Sequence, residues 1–512
     1  MKAHYQVLLK IFIAASLLAV YAGMNAQNTR RIDPARLKEI VYPPLTDKEG
    51  KNLTLPVPPN EHPRLFFRKP YLSTIKMKAN HPLLAECWER VNQYSNIVTD
   101  GKLRQDTIHN YSLQIINAIE AKAFMYALTG DEKMGNEAVD LIFNLNNTLI
   151  INPAKQDVCR DIGRVVLATS IVYDWCYDLI APAEKQSLIA IMESLATDME
   201  VKWPLLSQGS VTGHGVEAQV ARDILSFGIA AYNEKPEIYR RAAGRIFAEF
   251  IPAQNFWYQS GYHHQGSSYG PSRYRWEVFP SLLFSRMGYP DIVSRLQGQI
   301  PYYWIYTRRP DGKLFHDGDE YQDGNPFGHY SFFPDIAYAA GYYQDPLLMG
   351  EAIRQGNIGQ TPLFDLLLVD PSVPADKNLS SLPLTRYFPY PFGGMAVRTG
   401  WNNGSTSDVV VAEMKIVERQ FNNHQHLDAG AFQIYYKGPL AIESGIYQGT
   451  EGAYGSPHFL NYFQRTIAHN CMLVYNPDEV FARGNRTLTN DGGQRWPASG
   501  SETSVIDVVM SE

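Results

Sequence analysis

Three short segments concentrate side chains able to do acid–base or metal chemistry. The densest is Asn422-Asn423-His424-Gln425-His426-Leu427-Asp428. On an extended backbone alternate side chains share a face, which would align His424, His426 and Asp428. Imidazoles at that spacing, joined by Glu443 of an AIESG stretch and His469 of a TIAHN stretch, make a donor set suited to zinc. Three protein ligands then leave one position for water or a further group. The metal-free alternative is a set of hydrogen-bonded histidines. His263-His264 is a second, weaker metal candidate.

The second segment runs Thr212-Gly-His214-Gly-Val216-Glu217-Ala-Gln219. At the start of a helix, His214 and Glu217 share a face, with Val216, Val220 and Ile224 toward the core. The glycines beside His214 let a ligand approach the backbone. The plainer alternative is a histidine capping its own helix beside a solvated glutamate. The third segment is Gly266-Ser-Ser-Tyr269-Gly-Pro271-Ser-Arg273-Tyr-Arg275-Trp276. Pro271 suits a helix start, so Tyr269 is expected just before it. The positive helix end and Arg273 would both favour a phenolate there. That help matters, because an unperturbed tyrosine titrates near ~10 and is a poor base at neutral pH. The alternative is a surface turn whose tyrosine packs on its neighbours.

These segments need a scaffold, and the chain is long enough to supply one. Its 512 residues are 45% apolar and 19% charged, which permits a sizeable core and excludes wholesale disorder. At roughly 150 residues per domain, the length suits about three domains or two large ones. Lys+Arg is 46 and Asp+Glu is 52, so the net charge of −6 argues against a general polyanion or nucleic-acid binder. An anionic ligand would have to meet a local basic patch. Arg160, Arg164, Arg222, Arg273, Arg275, Arg419, Arg465, Arg483 and Arg486 lie near the three segments, and their guanidinium forks suit carboxylate or sulfate. Cys87, Cys159, Cys176 and Cys471 lack zinc-finger spacing and are too few for a disulfide scaffold.

Lys2 and Lys10 precede an apolar run from Ile11 to Ala22, too short to span a bilayer as a helix. Residues 1–26 therefore read as a secretory signal peptide cleaved near Ala26, giving a periplasmic or secreted protein. No cysteine follows the run to carry a lipid, and no other segment is long and apolar enough to cross a membrane. Residues 27–69, polar and proline-rich, read as an extended N-terminal arm. Residues 70–370 carry a helical period: Leu113, Ile116, Ile119, Ala123 and Tyr126 form one stripe, and Ile162, Val165, Thr169, Val172 and Trp175 another. Helical hairpins recurring at about 50 residues stack as a solenoid or close into an (α/α) ring. Residues 371–512 change to strand patterns such as DVVVAEMKIV and AFQIYYKG, separated by Gly, Asn and Pro, and read as antiparallel β. The pattern still runs at Val505–Met510, which suggests a fragment of a longer protein.

Together the motifs GHGVEAQ, SSYGPSRYRW, NNHQHLDAG, AIESGIYQG and RTIAHN, in this order and at these separations, resemble the heparinase II/III superfamily of polysaccharide lyases, and heparinase II most. The resemblance covers nearly the whole mature chain. It implies an α+β multidomain fold, an incomplete (α/α) toroid followed by an antiparallel β-sandwich whose C-terminal part is truncated here. It implies β-elimination on heparin and heparan sulfate. By the same resemblance the catalytic residues are His214, Glu217, Tyr269 and His424, with Glu217 neutralising the substrate carboxylate. Arg160, Arg273, Asn423, Tyr447 and Tyr454 would bind substrate, and His426, Glu443 and His469 would hold one structural zinc. Glu443 stands where the family pattern has aspartate, one methylene shorter. The implied partner is an acidic polysaccharide, and a homodimer is compatible. Three rival readings are a lyase for another uronan such as alginate, a glycoside hydrolase and a non-catalytic glycan-binding protein. The hydrolase needs two carboxylates flanking the bond, which the motifs do not obviously supply.

Overall fold

The computed structural model describes residues 30–31, 37, 40–98, 109–151, 155, 157–201, 203–204, 218–319, 335–356, 358–404, 406–417, 419–420, 424–447, 449–473 and 494–495. The signal-peptide segment, His214, Glu217, Asn423, Arg483, Arg486 and the strand pattern at 505–510 lie outside the described residues.

The first part is helical: α1 Leu72–Ala79, α2 Ala85–Ser95, α3 Leu113–Thr129, α4 Glu132–Thr148, α5 Val158–Trp175, α6 Pro182–Thr197, α7 Leu225–Ala230 and α8 Pro236–Arg245. There follow α9 Ile251–Trp257, α10 Tyr269–Arg286, α11 Ile300–Thr307, α12 Asp335–Tyr343, α13 Pro346–Gln355 and α14 Pro362–Leu368. A π-helical turn, Gln219–Ile224, leads into α7. Local chemistry sets the boundaries. Gly130, left-handed at φ 78°, ends α3, and Asp131 then caps α4 by accepting from the amides of Lys133 and Met134. Pro182 opens α6, where a missing N–H costs nothing.

The packing order closes a ring. α2 packs on α3, α3 on α5, α5 on the π-helical turn and α7, the turn on α10, α10 on α12, α12 on α14, and α14 returns to α2. The inner helices are enclosed by neighbours, so they bury more than one stripe. On α5, Ile162, Val165, Thr169, Val172 and Trp175 are all buried as their spacing predicts. On α3 the stripe is offset: Ile116, Ile119 and Ala123 are buried, whereas Leu113 is 51% exposed. The segment before the ring is firmly held. Asp174 accepts from the Arg64 and Leu65 amides, each at 2.8 Å, and from His62 Nδ1 at 2.6 Å. The buried Arg64 guanidinium donates to Pro59 O, Asn233 Oδ1 and Ala230 O.

The second part is a five-stranded antiparallel meander: β1 Thr385–Phe388, β2 Gly394–Arg398, β3 Val411–Lys415, β4 Phe432–Tyr435 and β5 Pro439–Ala441, paired in that order. The register aligns Ala396 with Glu413 and Glu413 with Gln433. α11 packs on β2 and β3. Phe388, Phe392, Ala396 and Val417 join the same hydrophobic core as the helices, so ring and sheet are fused. The expected architecture, an (α/α) toroid followed by an antiparallel β domain, is what the chain adopts. All four cysteines are free thiols. Among the described residues no helix is long and apolar enough to cross a membrane.

Candidate active site and metal centre

Tyr269 is the first residue of α10, one step further into the helix than Pro271 suggests. It therefore sits in the first turn, where the helix dipole favours negative charge. Gly270 follows by necessity, since a Cβ there would lie 2.9 Å from the Trp304 ring and 3.1 Å from His263 Nδ1. The Tyr269 ring lies flat on the imidazole of His424, with centroids 3.5 Å apart and planes 5° from parallel. Its hydroxyl is 3.0 Å from that of Tyr447. The Tyr454 ring lies 5.4 Å from His424. One turn along α10, the Arg273 guanidinium is 6.0 Å from the Tyr269 ring, and its Nε donates to Gln265 Oε1 at 3.2 Å. The helical half thus brings Tyr269 and Arg273 to a point where loops of the β half bring His424, Tyr447 and Tyr454.

The histidine segment is not the extended strand that its alternation suggests. His424 has φ 64°, in the left-handed region, and the residues after it run through turns. The turn sends His424 to Tyr269 while His426 points into a different group. There, donor atoms of His426, Asp428, Glu443 and His469, all buried, lie within 4.8 Å of one another. His426 Nδ1 is 3.0 Å from His469 Nε2. Glu443 Oε2 is 3.5 Å from His469 Nε2 and 3.9 Å from His426 Nδ1. Asp428 Oδ2 is 3.9 Å from His469 Nε2.

This donor set fits a metal ion. The outward nitrogens are already engaged, His426 Nε2 with Asp319 Oδ1 at 2.9 Å and His469 Nδ1 with Arg465 O at 2.7 Å. That leaves Nδ1 of His426 and Nε2 of His469 to present lone pairs inward, the arrangement expected of ligating histidines. Both Glu443 oxygens are buried without a hydrogen-bond partner, with the Lys415 ammonium 3.8 Å from Oε1, and a bound cation would offset the remaining cost of burial. The longer glutamate reaches the same space, and Asp428 offers a further oxygen.

The electrostatics around the group are set by burial and by one ammonium. Burial pushes His426 well below the ordinary imidazole range, helped by His469 and Lys415. Burial also opposes charge on His469, but Glu443 beside it prevails and raises it. Burial raises Glu443 against the pull of His469 and Lys415. Lys415, inward on β3, is buried against Asp317 Oδ1 at 2.5 Å, bonded to Asp428 and 3.8 Å from Glu443. Burial works against its charge, yet Asp317 and Asp428 hold it well above the usual lysine value. Glu413, two residues earlier on the same face, is pushed far up by burial and by Asp317. Its Oε1 accepts from Gln433 Nε2 at 2.7 Å.

Some candidates sit elsewhere. Arg160, in the first turn of α5, has a side chain 54% exposed and pairs with Asp157 at 3.4 Å; it is not among the residues this cluster brings together. Arg164, Arg222 and Arg275 do gather, with Trp276 and Asn117, around a cavity of about 240 Å³ inside the ring. They do not form the open basic groove their clustering suggests: Arg164 pairs with Glu120, Arg222 with Asp223 and Arg275 with Asp335. Their charge is spent inside the protein. His263 is not in the metal-capable group either; it contacts Tyr258 at 3.1 Å and Glu277 at 3.3 Å within the core.

Sequence reasoning missed Asp317, Asp319 and Lys415. The first two lie in FHDGDEY, which reads as a loop; two aspartates flanking a glycine were the available signal. Lys415 and Glu413 alternate with Val411 on the buried face of a strand, where two charged residues in register already imply an ionic group.

No protein-family model and no curated protein matches the chain. Among solved structures it is similar to heparan sulfate lyase HepC from Pedobacter heparinus, at 15% identity and a TM-score of 0.44, over 78% of this chain and 63% of that one. It is also similar to a heparinase III, at 12% identity and a TM-score of 0.40, over 83% of this chain and 65% of that one. The chain thus spans less than two thirds of the length of either.

Proposed function

We propose that this protein is a polysaccharide lyase that cleaves uronate-containing chains of the heparin and heparan sulfate type by β-elimination. The observation that supports this reading is the meeting of a phenol on a helix N-terminus with an imidazole from the other half of the molecule, 3.5 Å apart and flanked by Arg273, Tyr447 and Tyr454. Elimination needs a base for the C5 proton and an acid for the departing O4, which these groups supply. The C5 proton of a uronate is weakly acidic because the adjacent carboxylate is already negative. Arg273, Asn423 and a protonated Glu217 would neutralise that carboxylate as the carbanion forms. Where the C5 proton and the departing O4 lie on one side, Tyr269 takes the proton and returns it to O4. For the other C5 epimer, His424 or His214 takes the proton and Tyr269 still protonates O4. Tyr447 and Tyr454 position the sugar, and Arg160 meets an acidic group further along the chain.

His426, Glu443 and His469 would hold a zinc ion, with Asp428 in reach. Its contribution there would be structural, holding loops of the β half together. Export to the periplasm or the exterior, after cleavage near Ala26, belongs to the same reading, as does a homodimer.

The test is full-length protein incubated with heparin, heparan sulfate, alginate and hyaluronan, following the absorbance of the new C4–C5 double bond. Double-bond formation on heparin or heparan sulfate is the expected result. Formation on alginate alone moves the assignment to another uronan. Binding without any double bond overturns the lyase reading in favour of glycan capture.

A further inference from the structure

We infer that Asp319 is a positioning residue that ties the metal centre to His424 through a single carboxylate. Its two oxygens are divided between the two histidines of the His424-Gln425-His426 segment. Oδ2 lies 2.5 Å from His424 Nδ1, and Oδ1 lies 2.9 Å from His426 Nε2. An ionised carboxylate only accepts, so each of these nitrogens carries the hydrogen. The tautomer of both rings follows. His426 presents Nδ1 to the metal group, and proton transfer at His424 falls to Nε2.

The backbone enforces the same arrangement. The Asp319 amide donates to His424 O at 3.1 Å. Gly318, at φ 71°, lets the chains touch; a Cβ there would stand 2.4 Å from that same oxygen. Asp319 is 0% exposed, so water does not compete for the carboxylate. It follows α11 and comes from the helical half, whereas both histidines come from the β half. A carboxylate behind a ligating histidine normally serves one ring. Here the same group also orients a second ring, stacked on Tyr269. Loss of the metal frees His426 to turn, and Asp319 passes that movement to His424.

The part of this inference that concerns His424 as a base rests on the lyase reading; the link itself does not. The test therefore uses the full chain and two kinds of readout. Asp319→Asn keeps the shape but offers one acceptor oxygen, so only one histidine can keep its bond. Zinc affinity by chelator competition is expected to fall about 10- to 100-fold. kcat is expected to fall about 100-fold with KM nearly unchanged, because the base is displaced while the sugar contacts remain. Side-chain 15N spectra of the histidines should show His424 losing its single Nδ1–H tautomer. As a check that needs no variant, stripping zinc from the wild-type protein should shift the His424 signals as well as those of the ligands. Unchanged His424 signals on zinc removal, or Asp319→Asn with wild-type zinc affinity and tautomers, overturns the link. An intact link in a protein without lyase activity instead removes the lyase reading and leaves the link standing.

Discussion

Tyr269→Phe separates chemistry from architecture more cleanly than any other single change. Phenylalanine keeps the ring and its stack on His424 at 3.5 Å, an aromatic contact worth about 0.5–1.5 kcal/mol. What is lost is one hydroxyl and its 3.0 Å bond to the Tyr447 hydroxyl. A neutral hydrogen bond contributes about 1 kcal/mol net, so stability should fall by no more than that. At about 2.1 cal/mol/K per residue, a 512-residue chain then loses only about 1 °C in melting temperature. The catalytic loss is of a different order. Removing a general acid or base costs a factor of about 10² to 10⁴. At about 1.4 kcal/mol per decade this is about 3–5 kcal/mol in the barrier. On the proposed lyase reading Tyr269 protonates O4 whichever group removes the C5 proton, so the loss should appear on both glucuronate and iduronate linkages. Initial rates from the double-bond absorbance, paired with a thermal melt, measure both quantities. Rates within twofold of wild type on both linkages refute the assignment of Tyr269. A loss confined to one linkage refutes its shared role at O4.

Three further changes probe the scaffold around the site. Lys415→Met leaves Asp317 and Asp428 buried without their cation and should destabilise by about 3–5 kcal/mol, with added zinc restoring part of the loss through Asp428 and Glu443; an unchanged melt contradicts the ionic group. Asp174→Ala and Asp174→Asn both remove the charge facing Arg64, but only Ala also strands the Arg64 and Leu65 amides, so it should be about 1–3 kcal/mol less stable than Asn by chemical denaturation; equal stability of the two variants contradicts this. Lys78 is held at about 7 by burial and by Arg286 against Asp370, so between about 7 and 10.5 the unfolded chain binds the extra proton and folding stability rises with pH. Lys78→Met should therefore be more stable than wild type at pH 6, on the order of 5 kcal/mol at most, with the gap shrinking toward pH 10. A pH-independent gap rules out the titration of Lys78 as its cause.

The helical half was legible because enclosed helices leave strong signals. Gly130 and Pro182 mark helix ends by backbone chemistry alone, and the stripe on α5 is complete. The helical period alone does not distinguish a ring from a solenoid, since closure depends on α14 meeting α2, a contact across most of the domain that no local pattern encodes; the toroid is implied by the motif resemblance. The candidate site was legible as a list of residue types and only partly as geometry. Tyr269, Arg273, His424, Tyr447 and Tyr454 are brought together. Alternation failed at His424 because period two presumes extended backbone, and a left-handed residue breaks that premise. The arginine cluster was readable as positive charge, but not the carboxylates that consume it, which arrive from other helices.

On the lyase reading, the break in alternation at His424 divides the site in two. Had residues 424–428 been a strand, both imidazoles would face one side, and a metal would compete with substrate for the same rings. On the proposed reading, the turn at His424 separates a base from a metal ligand. One ring stacks on the phenol at the ring–sheet junction, and the other closes a buried donor group behind it. Separation alone would leave His424 on a loop, where torsional freedom would blur its aim. Asp319 and Gly318 remove that freedom from the helical side, by one side-chain bond and one backbone bond to His424 and a second side-chain bond to His426. A base must be held to a fraction of an ångström to be effective, and rigid elements do this better than loops. The β half therefore supplies the imidazole, while the helical half supplies both the phenol beside it and the carboxylate that aims it.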